Sequence, residues 1–149
     1  MKEIKVFLAS SEELEQDREA FGNFIRILDN LYEKRGIRIK LYKWEDFDAA
    51  YNNDGKQNEY NEYVRKSDMF LALFRTKAGK FTVEEFEVAR EENSNKGLPK
   101  PYVYCRELNQ RETEDATLTD FKQKLSNDLG YYWVRYTNKD MLKLHFVMQ

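Results

Sequence analysis

The sequence predicts an α/β fold: a five-stranded parallel sheet in a three-layer sandwich with helices on both faces. Three observations predict it. Short apolar runs alternate along the chain with longer segments of helical periodicity, which is the pattern of successive βα units joined by right-handed crossovers. The chain has 149 residues, enough for one domain with its own core. Aromatic residues make up 15% of it, so large apolar side chains are at hand to fill that core.

Ile4–Ala9, IKVFLA, is the first strand. Ser10 with Glu13 then fits a capping box, which predicts a helix start. Leu14, Phe21, Phe24, Ile25, Leu28 and Leu31 recur at helical spacing up to about Lys34, and Gly36 stops the helix. Ile37–Trp44, IRIKLYKW, alternates as a second strand, and Glu45–Lys56, rich in Asn, Asp and Gly, predicts a loop. A helix over Gln57–Lys66 precedes the third strand, Met69–Phe74, MFLALF. Lys77–Arg90, KAGKFTVEEFEVAR, adds a turn holding Gly79 and an amphipathic helix that ends near Asn95–Gly97.

Pro99 and Pro101 frame the exit from that helix, and Tyr102–Cys105 is the fourth strand, placed after a proline as strand starts tolerate. Glu107–Ala116 predicts a polar loop, Leu118–Leu129 a helix, Tyr131–Tyr136 a fifth strand and Asn138–Met148 a last helix. Five strands favour the flavodoxin-like order 2-1-3-4-5. The last helix runs on without a capping glycine or polar tail, which predicts that residues 1–149 are the N-terminal part of a longer protein.

Composition excludes several functions. Net charge is −2 and no Lys/Arg cluster stands apart from acidic neighbours, which argues against a nucleic-acid partner. The basic stretch Lys34–Lys43 has its charges split across two faces by strand alternation. The single cysteine, Cys105, leaves no internal disulfide and fits a reducing compartment. It ends an apolar run, as a buried thiol does, and the only histidine, His145, is distant in sequence. No apolar run approaches ~18 residues and the N-terminus lacks a signal-peptide pattern, so a cytoplasmic protein with no membrane span is expected.

The first turn, Ala9-Ser10-Ser11, lacks the glycines of a dinucleotide fingerprint, and no Walker loop is present. A phosphate-accepting receiver domain would need acidic residues where Ser10 and Arg75 stand. No metal site is expected from one His and one Cys without an HExxH pattern. What remains is Glu85, the serines after the first strand, and Trp44 with Glu45 and Asp46 after the second. In a doubly wound sheet these turns meet at the carboxyl edge, where ligands settle. Carboxylate, hydroxyls and an aromatic face together suit a nucleotide or a sugar. Spacing alone favours a capping box over Thr82–Glu85, with Glu85 reaching back to the Thr82 amide. Trp44 likewise fits the core, and Ser10 and Ser11 fit helix caps.

Over nearly its whole length the chain resembles a bacterial-type Toll/interleukin-1 receptor (TIR) domain. The family's first-strand box reads here as Lys5-Val6-Phe7-Leu8-Ala9-Ser10. Its Trp-Cys-x-x-Glu-Leu motif reads as Phe81-Thr82-Val83-Glu84-Glu85-Phe86, which places the family's catalytic glutamate on Glu85. Ala9 stands where many members have Ser. The Pro-Gly of the loop after the second strand is missing, with Gly55 nearest. Phe146 is the closest relic of the C-terminal Phe-Trp pair.

Many TIR domains of this kind cleave NAD between nicotinamide and ribose, and the resemblance implies the same chemistry here, with NAD as substrate and no cofactor. Ala9, Ser10, Ser11, Trp44, Asp46 and Phe81 are then the expected substrate contacts, Trp44 and Phe81 by stacking. A helix N-terminus favours an ionised Glu85 unless burial wins. The resemblance also implies homo-oligomers through TIR–TIR contacts and fusion to sensor or NTPase domains. Two other readings stay open: a non-enzymatic TIR interaction scaffold, and a nucleoside deoxyribosyltransferase-like enzyme, whose first strand and single glutamate are similar.

Overall fold

IKVFLA and MFLALF carry apolar side chains on both faces of the strand, as a strand covered by helices on both sides requires. Both become central strands. In the computed structural model, residues 2–10, 12–43 and 53–147 are described, apart from the side chains of 12, 53–59, 128, 144 and 145. The strands are β1 (Lys2–Ser10), β2 (Ile37–Tyr42), β3 (Met69–Phe74), β4 (Lys100–Arg106) and β5 (Trp133–Tyr136). All pair in parallel, in the order β2-β1-β3-β4-β5. The expected topology is the observed one.

The helices are α1 (Glu15–Glu33), α2 (Asn53–Lys66), α3 (Lys80–Lys96), α4 (Ala116–Gln123) and α5 (Lys139–Val147). A 3₁₀ turn, Glu12–Leu14, leads into α1, and a π-helical stretch, Lys124–Leu129, continues α4. Strand alternation sorts the sheet's side chains into two layers. Phe7, Ala9, Phe70, Ala72, Phe74 and Cys105 pack with Val64 of α2, Phe86 and Ala89 of α3, and Phe121 of α4. Val6, Leu8, Leu71, Leu73, Tyr104 and Tyr136 pack with Phe21 and Ile25 of α1 and Leu142 and Phe146 of α5. Among the described residues, no helix is long and apolar enough to cross a membrane.

Several boundaries differ from expectation for local reasons. β1 starts at Lys2, earlier than expected, because the Lys2 amide donates to the Gly36 carbonyl (2.9 Å) and Lys2 pairs with Ile37. Helix α2 begins at Asn53, inside the stretch expected to be a loop. Asn and Asp disfavour a helix interior but suit its first turn, so their enrichment marks a helix start as well as a loop. β5 starts two residues late. Gly130, at φ +69°, closes the π-helical stretch, and the Tyr131 amide donates back to the Leu125 carbonyl (2.9 Å), which holds Tyr131 out of the strand. Pro101 lies inside β4, opposite Phe70 of β3. Pairing with β5 begins only at Val103, so the ring meets a neighbouring strand on one side.

The expected capping box of Ser10 and Glu13 does not form. The N-cap of α1 is Leu14, with no side-chain cap. Glu13 instead reaches the turn after β3, accepting from the Thr76 amide (3.0 Å) and hydroxyl (2.6 Å). Ser10 is taken by Arg18, whose Nη1 donates to its Oγ (2.8 Å). Partners distant in sequence displace the local pairing.

Helix α3 ends on Gly97 at φ +81°, whose amide donates to the Asn93 carbonyl (2.8 Å). A Cβ at this position would meet nothing within 4 Å, so backbone strain alone sets the cost of adding one. Gly97→Ala is expected to lower stability by about 1 kcal/mol, read as a shifted urea midpoint at constant slope.

Candidate functional site

Glu85, the carboxylate expected from sequence to form the site, is positioned by the joint between β3 and α3. Phe74 ends a strand with no exposed residue from Phe70 onward, and a turn of five residues leads to Lys80. Gly79, extended at φ −62° and ψ 141°, is the N-cap, and its carbonyl accepts from the Val83 amide (3.0 Å). Thr82 is therefore the third residue of the helix and not its cap. The capping box over Thr82–Glu85 is corrected by this start: a box needs its Thr at the N-cap. The turn's own glycine caps the helix three residues earlier.

Glu85 thus stands sixth in α3, a turn deeper than expected, where the helix N-terminus favours a negative charge less. It is 0% exposed and shares the buried face of α3 with Thr82, Phe86 and Ala89, at the spacing of one helical stripe. Its neighbour Glu84 is exposed. Two adjacent glutamates are thus divided, one to water and one inward against the sheet. Helical side chains lean towards the N-terminus, so Glu85 leans towards the carboxyl edge of the sheet.

Of the expected substrate contacts, Ala9 lies in the same layer as Glu85. It is fully buried at the end of β1, opposite Ala72, and packs in the cluster that holds Phe86 and Ala89. Phe81, on the first turn of α3, is half-buried. Ser10 follows Ala9 by one residue, so its side chain turns to the other face, where it meets Arg18 of α1. Ser11, Trp44 and Asp46 lie outside the described residues, as does the side chain of His145.

The opposite face of the carboxyl edge holds polar residues that sequence reasoning missed. Asp17 (1% exposed) accepts from Nη1 of Arg106 at the end of β4 and from the Tyr136 hydroxyl at the end of β5 (2.8 Å). Burial, and then the Asp17 carboxylate, push the Tyr136 phenol above its ordinary value. The signal was available: Asp17 and Arg18 occupy the inward positions between Leu14 and Phe21, where the helical stripe calls for apolar side chains.

Nearby, Arg75 pairs with both oxygens of Glu112 (2.7 and 2.9 Å), tying the turn after β3 to the loop after β4. That guanidinium, helped by the Asn109 amide, holds the Glu112 carboxyl below the ordinary range. Burial pushes the Cys105 thiol up to about 12, so it is no thiolate nucleophile at neutral pH. Among the described residues, no group of three or more His, Cys, Asp and Glu side chains is placed to hold a metal ion.

Chemically, one enclosed carboxylate on the sheet side of α3 can stabilise a cation that develops beside it.

No family model matches the chain, and no curated protein matches it in sequence. Its fold is similar to that of the Clostridium botulinum CMP N-glycosidase BcmB, at 14% identity and a TM-score of 0.58, over 97% of this chain and 99% of that one. A conserved protein from Enterococcus faecalis superposes with a TM-score of 0.55 at 18% identity, over 97% and 98%. The TIR domain heterodimer of RPS4 and RRS1 superposes with a TM-score of 0.53 at 13% identity, over 99% and 94%. At these identities the three similarities establish a shared three-layer α/β fold.

Proposed function

We propose that the protein is an N-glycosidase that cleaves NAD between nicotinamide and ribose, with Glu85 as its catalytic carboxylate. The observation that carries this reading is the inward position of Glu85, wholly buried on the sheet side of α3, in a helix whose N-cap is Gly79. The TIR-type motif around it and the fold shared with a CMP N-glycosidase support the same reaction class.

In the proposed reaction, the bond from C1′ of the ribose to the pyridinium nitrogen breaks and its electron pair leaves with nicotinamide. Charge develops on C1′ and the ring oxygen, and the Glu85 carboxylate stabilises it. Water adds to C1′ and releases one proton, giving ADP-ribose. Attack by the adenine ring in place of water gives the cyclic product. Nicotinamide leaves neutral and needs no acid, whereas a neutral base such as cytosine requires a proton as it departs. A single carboxylate therefore favours NAD over a pyrimidine nucleotide.

Incubation with NAD, and separately with CMP, followed by chromatography for nicotinamide and cytosine, tests the proposal. Nicotinamide is expected from NAD and no cytosine from CMP. Cytosine alone would move the substrate to nucleoside monophosphates. Because TIR domains often need clustering to act, the assay includes the protein fused to an oligomeriser, and silence from both forms would overturn the enzyme reading. A second reading, association through TIR–TIR contacts, draws on the fold shared with a TIR domain heterodimer. It expects a concentration-dependent mass in solution with no release of nicotinamide. Exchange of a deoxyribosyl group onto an added base would instead mark a nucleoside deoxyribosyltransferase.

A further inference from the structure

A cavity of about 260 Å³ opens at the carboxyl ends of β4 and β5, on the far side of β3 from β1. Cys105 and Arg106 from β4, Trp133 and Arg135 from β5, Lys122 from α4 and Glu114 from the loop before α4 line it. Strand pairing makes the wall: Cys105 faces Arg135 across the ladder, two residues along β5 from Trp133. Lys122 lies over the Trp133 ring, 4.2 Å from its centre, and pairs with Glu114. Lys122, Glu114 and Arg135 thus line the same cavity as the Cys105 thiol.

This wall is short of acceptors. Glu114 is already engaged, accepting from the Thr119 hydroxyl (2.6 Å) as well as from Lys122. The thiol, neutral at physiological pH, offers only a weak acceptor. Lys122 gives one N–H to Glu114, which leaves donors on its ammonium. Arg135, exposed at the mouth, brings a full guanidinium fork with no carboxylate partner among the described residues. Two cations, Lys122 and Arg135, thus stand around one hollow with more donors than acceptors to meet them, while the Arg106 guanidinium turns to Asp17 on the other face. Glu107 is the other carboxylate of the lining, and it is exposed.

We propose that this cavity is a second ligand site, separate from Glu85, that takes the phosphoryl group of a small phosphomonoester. A phosphomonoester brings roughly −1.5 to −2 charges and three acceptor oxygens, which match a guanidinium fork and an ammonium. The hollow lies below the ~300–1,000 Å³ of drug-sized pockets, so it suits a phosphoryl group with at most a sugar attached. Lys122 already covers the Trp133 ring, so that face is closed to a stacked base. The proposal does not depend on what Glu85 does.

The test is a titration of the ¹⁵N-labelled full chain with inorganic phosphate and with ribose 5-phosphate. It follows the Trp133 indole N–H, identified against the signal of the other tryptophan by Trp133→Phe. A saturable shift at millimolar ligand or below is expected. Arg135→Gln should weaken it about tenfold or more, and Lys100→Gln, at the opposite edge of the sheet, should leave it unchanged. Equal response to both ligands assigns the site to the phosphoryl group alone; response to ribose 5-phosphate only assigns it to the ester. Either supports the proposal. Three results would overturn it: no saturable shift, a shift undiminished in Arg135→Gln, or the same shift with chloride at matched ionic strength.

Discussion

Glu85→Gln is expected to lower nicotinamide release by about a hundredfold to a thousandfold, corresponding to about 2.7–4 kcal/mol of electrostatic stabilisation. The exchange keeps the shape of the side chain and removes its charge. Glu85 is fully buried, so its substitute must fit the same space, and an amide does so without burying a charge. Gly79, not Thr82, caps α3, so the substitution leaves the helix start untouched. The melting temperature should therefore stay close to that of the parent. The two measurements belong together: thermal unfolding of both proteins, and initial rates of NAD cleavage at matched concentration. A Gln variant as fast as an active parent would remove Glu85 from the chemistry. A variant that fails to fold would show instead that the carboxylate holds the core together, and Glu85→Asp would then separate charge from reach.

The second large effect concerns stability. Asp17→Ala is expected to cost about 3–5 kcal/mol, the usual loss when one partner of a buried charged pair is removed. Arg106 would lose its carboxylate and the buried Tyr136 hydroxyl its acceptor. Three elements meet at Asp17, namely α1 and the ends of β4 and β5, so the loss should appear in global unfolding. Tyr136→Phe removes one hydrogen bond to a charged group and should cost less, about 1.5–3 kcal/mol. Urea unfolding of both variants checks this ranking, provided the slope stays that of the parent. Losses within about 0.5 kcal/mol of zero would mean that Asp17 is only a surface charge in solution.

Much of the fold was legible because its signals are local. An apolar run broken only by Lys5 marked β1, an unbroken one marked β3, and Gly36 and Gly97 marked helix ends where the backbone takes positive φ. The parallel order followed from five alternating units. Longer-range pairing was not legible. Ser10 and Glu13 have the spacing of a capping box, yet Arg18 and Thr76 outbid the local partner. Thr82 and Glu85 have the same spacing and likewise form no box, because Gly79 stops the chain's extended run first. The inward position of Glu85 could be read from its place in the stripe with Phe86 and Ala89. The face on which Ser10 ends could have been read from alternation with Ala9. The inward place of Asp17 could likewise be read from its stripe, but its partners Arg106 and Tyr136 could not, because they depend on where β4 and β5 end.

The same strand order leaves two rims open to other chains. β5 is only four residues long, and β2 carries Arg38 and Lys40 along its length, with Lys40 exposed and Arg38 gripping Asp29 of α1. Short outer strands and outward cations deter a neighbour from extending the ladder. Crowding this protein should therefore bring its helices and loops together and leave each sheet at five strands, which guards a chain rich in apolar strand sequence against fibril growth.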